Sequence, residues 1–127
     1  MLKIIDQYDK NVMDKLLRIE QLFILVLGFY LFFTSTMSWY IYLIGFISVD
    51  LFMLGYLINP KIGGIIYNIG HSYILAISLL SIGLLTEINS FYFAGIIFLS
   101  HIAMDRMFGF GLKFHDNFKH THLKGLN

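Results

Sequence analysis

The chain has 127 residues, of which 57% are hydrophobic and only 13% charged, with a formal net charge of +1. Charged residues are thus about half as frequent as the ~25% of soluble domains. They are also unevenly placed: eight fall in residues 1–20 and four in residues 113–127, so only Asp50, Lys61, Glu87, Asp105 and Arg106 lie between. A soluble fold of this size exposes most of its surface and cannot hide four long apolar runs, and disorder needs the opposite composition. The balance of charge carries no nucleic-acid signal. With no cysteine, disulfides and thiolate-bound metals are excluded. The composition is that of an integral membrane protein of one domain.

In chain order, residues 1–18 come first. Ile5, Tyr8, Val12, Leu16 and Ile19 recur at three- and four-residue steps, one apolar face of a helix with charges opposite. This predicts an amphipathic helix along the cytoplasmic membrane surface, with a partner-binding helix as the alternative. The acids in this polar lead, and the absence of a small-residue cleavage site, argue against a signal peptide. Four spans follow, over residues 19–37, 39–58, 62–85 and 91–110. Each is close to the roughly 20 residues that cross a bilayer. Thr34, Ser35 and Thr36 separate the first two, Asn59-Pro60-Lys61 the next pair, and residues 86–90 the last pair. Proline cannot sit inside a continuing helix. None of the runs alternates as a barrel strand would. Residues 113–127 form a polar tail. The expected fold is therefore an all-α, four-span bundle over residues 19–112.

Lys3, Lys10, Lys15 and Arg18 precede the first span, Lys61 lies between the second and third, and Lys113, Lys119 and Lys124 follow the fourth. The other two links contain no basic residue. With four spans every loop cation falls on one side, which predicts cytoplasmic termini and a multi-pass protein of the inner membrane. Trp39, Tyr40, Tyr42, Phe91 and Tyr92 suit the outer aromatic belt.

The informative residues are those that cost energy in lipid. An ionisable group at the bilayer centre costs about 2.5–3.5 kcal/mol on insertion scales, so it faces the bundle interior and finds a partner. The second span carries Asp50, the third Asn68 and His71, and the fourth His101, Asp105 and Arg106; Glu20 sits at the cytoplasmic mouth of the first. A rise of ~1.5 Å per residue puts Asp50 about 12 Å deep, His71 and His101 about 14 Å and Asp105 about 8 Å from the cytoplasmic side. His101 and Asp105 are four apart and share a helix face. Gly64, Asn68, His71, Leu75 and Ser78 form a small and polar stripe suited to helix packing.

Two carboxylates and two imidazoles suit Zn, Fe or Mn better than Cu(I), and bundle metal sites are built from inward side chains on facing helices. Asp50, His71, His101 and Asp105 are thus candidate metal ligands. Asp50, His101, Asp105 and Arg106 are candidate catalytic groups. Asn68, Glu20 and Arg106 are candidate substrate contacts, since a guanidinium fork matches phosphate or carboxylate. His115, His120 and His122 make the tail histidine-rich; a tail folded under the bundle puts His122 at the layer as a further ligand, whereas a solvated tail has no such role. Two non-catalytic readings stand beside the metal site. The polar layer holds helix register, in an assembly partner or small-solute channel, or it relays protons. Membrane lipids, an amphiphilic substrate and a second copy of the chain are the expected partners.

The runs Asp50-Leu-Phe-Met-Leu-Gly-Tyr56, Asn59-Pro-Lys-Ile-Gly63, Tyr67-Asn-Ile-Gly-His-Ser-Tyr73, Ser100-His-Ile-Ala-Met-Asp-Arg-Met-Phe-Gly-Phe-Gly-Leu-Lys113 and Thr121-His-Leu123 together resemble a small bacterial membrane-protein family, domain of unknown function 4260. The resemblance covers residues 17–123. Val49 and Ala76 stand where that family often has proline, and His120 where an acid is common, which favours His122 over His120. The Ser-His-x-x-x-Asp arrangement at 100–105 is also similar to a motif of membrane-bound metal-dependent hydrolases. That likeness implies the same four ligands and hydrolysis of a lipid-like substrate.

Overall fold

The computed structural model describes residues 1–111. The tail, His122 included, lies outside them. Among the described residues the chain makes four helical passes. Helix α1 spans Leu2–Thr34. The second pass is α2, Trp39–Ser48, continued by a 3-10 helix over Val49–Leu57. The third is α3, Pro60–Gly70, and α4, Tyr73–Thr86. The fourth is α5, Asn89–Met107.

The passes Leu2–Thr34, Trp39–Leu57 and Pro60–Thr86 are long and apolar enough to cross a membrane. Helix α5 is less apolar, and its burial explains why. Gly95, Ile96, Ile97, Leu99, Ser100, His101, Ile102 and Ala103 are all buried, on every side of the helix. A helix covered all round by protein need not present apolar side chains to lipid. It packs against α1, α2 and α4. Met37, Val49, Ile96 and Ile97 form one core cluster, and Ala76, Leu99 and Ile102 a second.

Three differences from the sequence expectation matter. First, α1 is one unbroken helix, with no boundary near residue 18 between a surface helix and a span. No glycine or proline occurs before Gly28, so nothing in the chain ends the helix there. Its residues up to Glu20 are exposed, and the buried stripe Gln21, Leu25 and Gly28 begins only where α1 meets the bundle. Second, the second span tightens from α to 3-10 winding at Val49. Third, the expected continuous third span is broken at His71 and Ser72. Ser72 caps α4 by accepting from the Ile74 amide, much as Asn59 caps α3 by accepting from Ile62 at 2.8 Å, with Pro60 in the first turn. Serine and asparagine suit such caps because their side chains satisfy amides that have no partner within the helix.

Glycines set how closely the helices approach. Gly28 faces Ser100, Gly95 faces Leu80, and Gly70 lies against the Phe52 ring. At Gly83 a side chain would meet the Tyr92 backbone, which cannot rotate away. Gly83→Leu is therefore expected to part α4 from α5 and destabilise the fold by about 2 kcal/mol, the scale of overpacking, as a lowered midpoint of thermal unfolding in detergent.

Candidate metal centre

Four side chains meet where two passes depart from α-helical winding. Asp50 lies in the first turn of the 3-10 helix. His71 closes α3, with φ −110° and ψ 22°. His101 and Asp105 stand one turn apart on α5. One ligand atom from each lies within 4.8 Å of the others. Irregular backbone at membrane depth is tolerated only where protein buries it or it lines a cavity, and here it delivers ligands.

Both imidazoles are almost fully buried, His71 at 3% and His101 at 2% exposure. Their Nδ1 atoms face main-chain carbonyls: His71 that of Tyr67 at 3.1 Å and His101 that of Phe46 at 2.6 Å. A carbonyl can only accept, so each Nδ1 carries a hydrogen, and in the neutral ring, the form that binds a metal, the lone pair is left on Nε2. The Phe46 carbonyl sits just before the winding tightens at Val49. The Tyr67 ring stacks on His71, centroids 3.8 Å apart at 11°, and Phe46 packs on His101.

The two Nε2 atoms are buried and have no hydrogen-bond partner, although carboxylates stand close. His101 Nε2 is 3.2 Å from Asp105 Oδ2 and 3.3 Å from Asp50 Oδ1. His71 Nε2 is 3.5 Å and 3.7 Å from the same two oxygens. Lone pairs on nitrogen aimed at carboxylate oxygens repel unless a cation stands between them. Zinc binds nitrogen and oxygen ligands at about 2.0–2.2 Å, almost always tetrahedrally, which sets ligand-to-ligand edges of about 3.3–3.6 Å. The four nitrogen–oxygen edges straddle that range. The four donors, all within 4.8 Å of one another, lie close enough together that they could hold one ion. Asp105 is mostly covered at 16% side-chain exposure, whereas Asp50 is half exposed at 50%, so the cluster opens on the Asp50 side.

The other sequence candidates lie elsewhere. Arg106 is not in the ligand group. Its Nη2 donates to the His71 carbonyl at 3.3 Å, and its guanidinium lies 4.6 Å from the Tyr73 ring centroid. Glu20 is exposed on α1, and its neighbour Gln21 is the residue that turns inward, accepting from the Tyr73 hydroxyl. The stripe on the third span divides at the break. His71 turns into the cluster, while Asn68, Ser72, Leu75 and Ser78 line an outward groove of about 610 Å³. Sequence reasoning missed the supports: the Phe46 and Tyr67 carbonyls, the Tyr67 ring, and the Gln21–Tyr73 pair. Gln21, a polar residue within the first span, was the one visible signal.

No curated protein and no solved structure matches the chain. The likeness to membrane-bound metal-dependent hydrolases thus rests on the Ser100–Asp105 arrangement, with Asp50 in the second span and His71 in the third. The four ligands all fall inside residues 14–126, over which the chain matches the family described as Domain of unknown function (DUF4260) and to which it therefore belongs.

Proposed function

We propose that this chain is a membrane protein in which Asp50, His71, His101 and Asp105 hold one divalent ion (Zn, Fe or Mn, with zinc the first to test on the chemistry of nitrogen and oxygen donors) and use it to hydrolyse a lipid-like substrate. The observation that carries the metal reading is the pair of buried Nε2 atoms, each left without a hydrogen-bond partner by a carbonyl that fixes its tautomer. An ion held by these residues would supply Lewis acidity toward a substrate oxygen. His71, His101 and Asp105 form the buried side of the site. Asp50, half exposed, stands at the open side; by yielding its place on the ion it would open a position there, and its freed carboxylate would take the proton of the attacking water and return it to the leaving alkoxide as the ester bond breaks. The basic residues Lys3, Lys10, Lys15, Arg18 and Lys61 support cytoplasmic termini in the inner membrane, with the site nearer that side and substrate arriving from the inner leaflet.

Elemental analysis of detergent-purified, tag-free protein tests the reading. About one zinc per chain is expected, with hydrolysis of a lipid ester that stops on chelation and returns with zinc. Folded protein that takes up no metal after reconstitution with Zn(II), Fe(II) or Mn(II) would overturn it and leave the polar layer a helix-pairing or proton-relay device.

A further inference from the structure

Two arginines stand near the inner end of α5, and they are balanced differently. Arg18 is paired with Asp14 at 2.8 Å and also donates to the Met107 carbonyl at 3.3 Å. Arg106 has no carboxylate within ion-pair distance among the described residues, although Asp105 is its sequence neighbour. The oxygens of Asp105 and Asp50 nearest the histidines are turned toward Nε2 instead. One of its five donors meets the His71 carbonyl, and its face covers Tyr73.

Charge balance makes this notable. In the loaded centre two carboxylates would offset a divalent ion and the imidazoles would be neutral, so among the described residues Arg106 is left as one positive charge with no carboxylate beside it. Such a charge in a membrane-embedded site is costly without a partner. A guanidinium presents a planar fork that matches phosphate oxygens two at a time. Its contact with the His71 main-chain carbonyl ties the guanidinium to the residue whose imidazole enters the cluster.

We infer that the site binds a phosphate ester with one net negative charge, one oxygen facing the metal and others held by Arg106. This rests on the metal reading above and adds the class of substrate. A monoanionic ester neutralises the remaining charge. The phosphate selects the headgroup, and the surrounding apolar helices accommodate any alkyl chains.

The test uses zinc-loaded, detergent-purified full-length protein with three probes in neutral micelles: dihexadecyl phosphate, dimethyl phosphate and uncharged dihexadecyl glycerol. Zinc is measured in every sample. Wild type is expected to bind dihexadecyl phosphate saturably and the uncharged lipid at least tenfold more weakly. Arg106→Gln is expected to weaken phosphate binding at least tenfold at unchanged zinc content, with Arg106→Lys between the two, since it keeps the charge and loses the fork. Equal dependence on Arg106 for dimethyl phosphate supports the phosphate chemistry and assigns it to free esters as well as lipids. Equal affinity of wild type and Arg106→Gln, or no phosphate binding by zinc-loaded wild type, would overturn the inference and leave the metal centre standing. Binding that needs Arg106 but survives zinc removal unchanged would overturn the shared metal contact. A wild type without zinc shows in the elemental analysis, separately from the probe series, and removes both.

Discussion

Zinc at a hundredfold excess over its dissociation constant is expected to stabilise the folded chain by about 2.7 kcal/mol, and His71→Ala is expected to abolish that response. The two histidines serve as different probes. In His101→Ala the Phe46 carbonyl loses the Nδ1 hydrogen it accepts, and the loss of such a hydrogen bond costs about 1 kcal/mol. In His71→Ala the Tyr67 carbonyl keeps a partner, because the residue-71 backbone amide also donates to it, at 2.9 Å. His71→Ala therefore removes a ligand with the smaller structural penalty. Thermal unfolding with and without zinc should show a metal-dependent rise for wild type and none for either variant, with apo His101→Ala the least stable of the three. A full zinc response in His71→Ala would exclude the ion from this cluster.

The two aspartates are expected to be unequal. Asp105→Asn should weaken zinc binding by about a hundredfold or more, beyond the 10–100-fold that supporting groups alone contribute. Asp105 is mostly covered and lies within 3.5 Å of both Nε2 atoms, so no water readily replaces its oxygen. Asp50→Asn should cost about tenfold and leave the ion bound. Asp50 is half exposed and makes the longest of the four nitrogen–oxygen separations, 3.7 Å to His71, and water can take its position. Competition titrations with a chelator of known affinity measure both. Hydrolysis should nevertheless fall sharply in Asp50→Asn, because an amide cannot accept the proton that the carboxylate accepts. Equal affinity losses for the two variants would contradict the open side assigned to Asp50.

Much of the site was legible because its residues are expensive in lipid. Asp50, His71, His101 and Asp105 stood out from apolar surroundings, and helix rise alone put them in neighbouring layers. The i, i+4 pair on α5 needed only helix periodicity. Glu20 and Asn68 stood out for the same reason, yet the structure leaves Glu20 exposed and turns Asn68 toward an outward groove. Cost identifies a residue that needs a partner, not which partner it takes.

Composition and periodicity by themselves determined an all-helical, apolar chain and singled out Asp50, His71, His101 and Asp105, which the structure brings within 4.8 Å of one another, because hydropathy and the 3.6-residue repeat are local properties. The tertiary structure decided the rest. The break at His71 depends on the Ser72 cap and on Gly70 seated against Phe52. The histidine tautomers depend on carbonyls contributed by Phe46 and Tyr67, and main-chain acceptors leave no mark on side-chain pattern. The separation of Arg106 from the neighbouring Asp105 follows from where α4 and Tyr73 pack. Each depends on which groups the fold brings together across the chain, and a linear pattern holds no record of those distances.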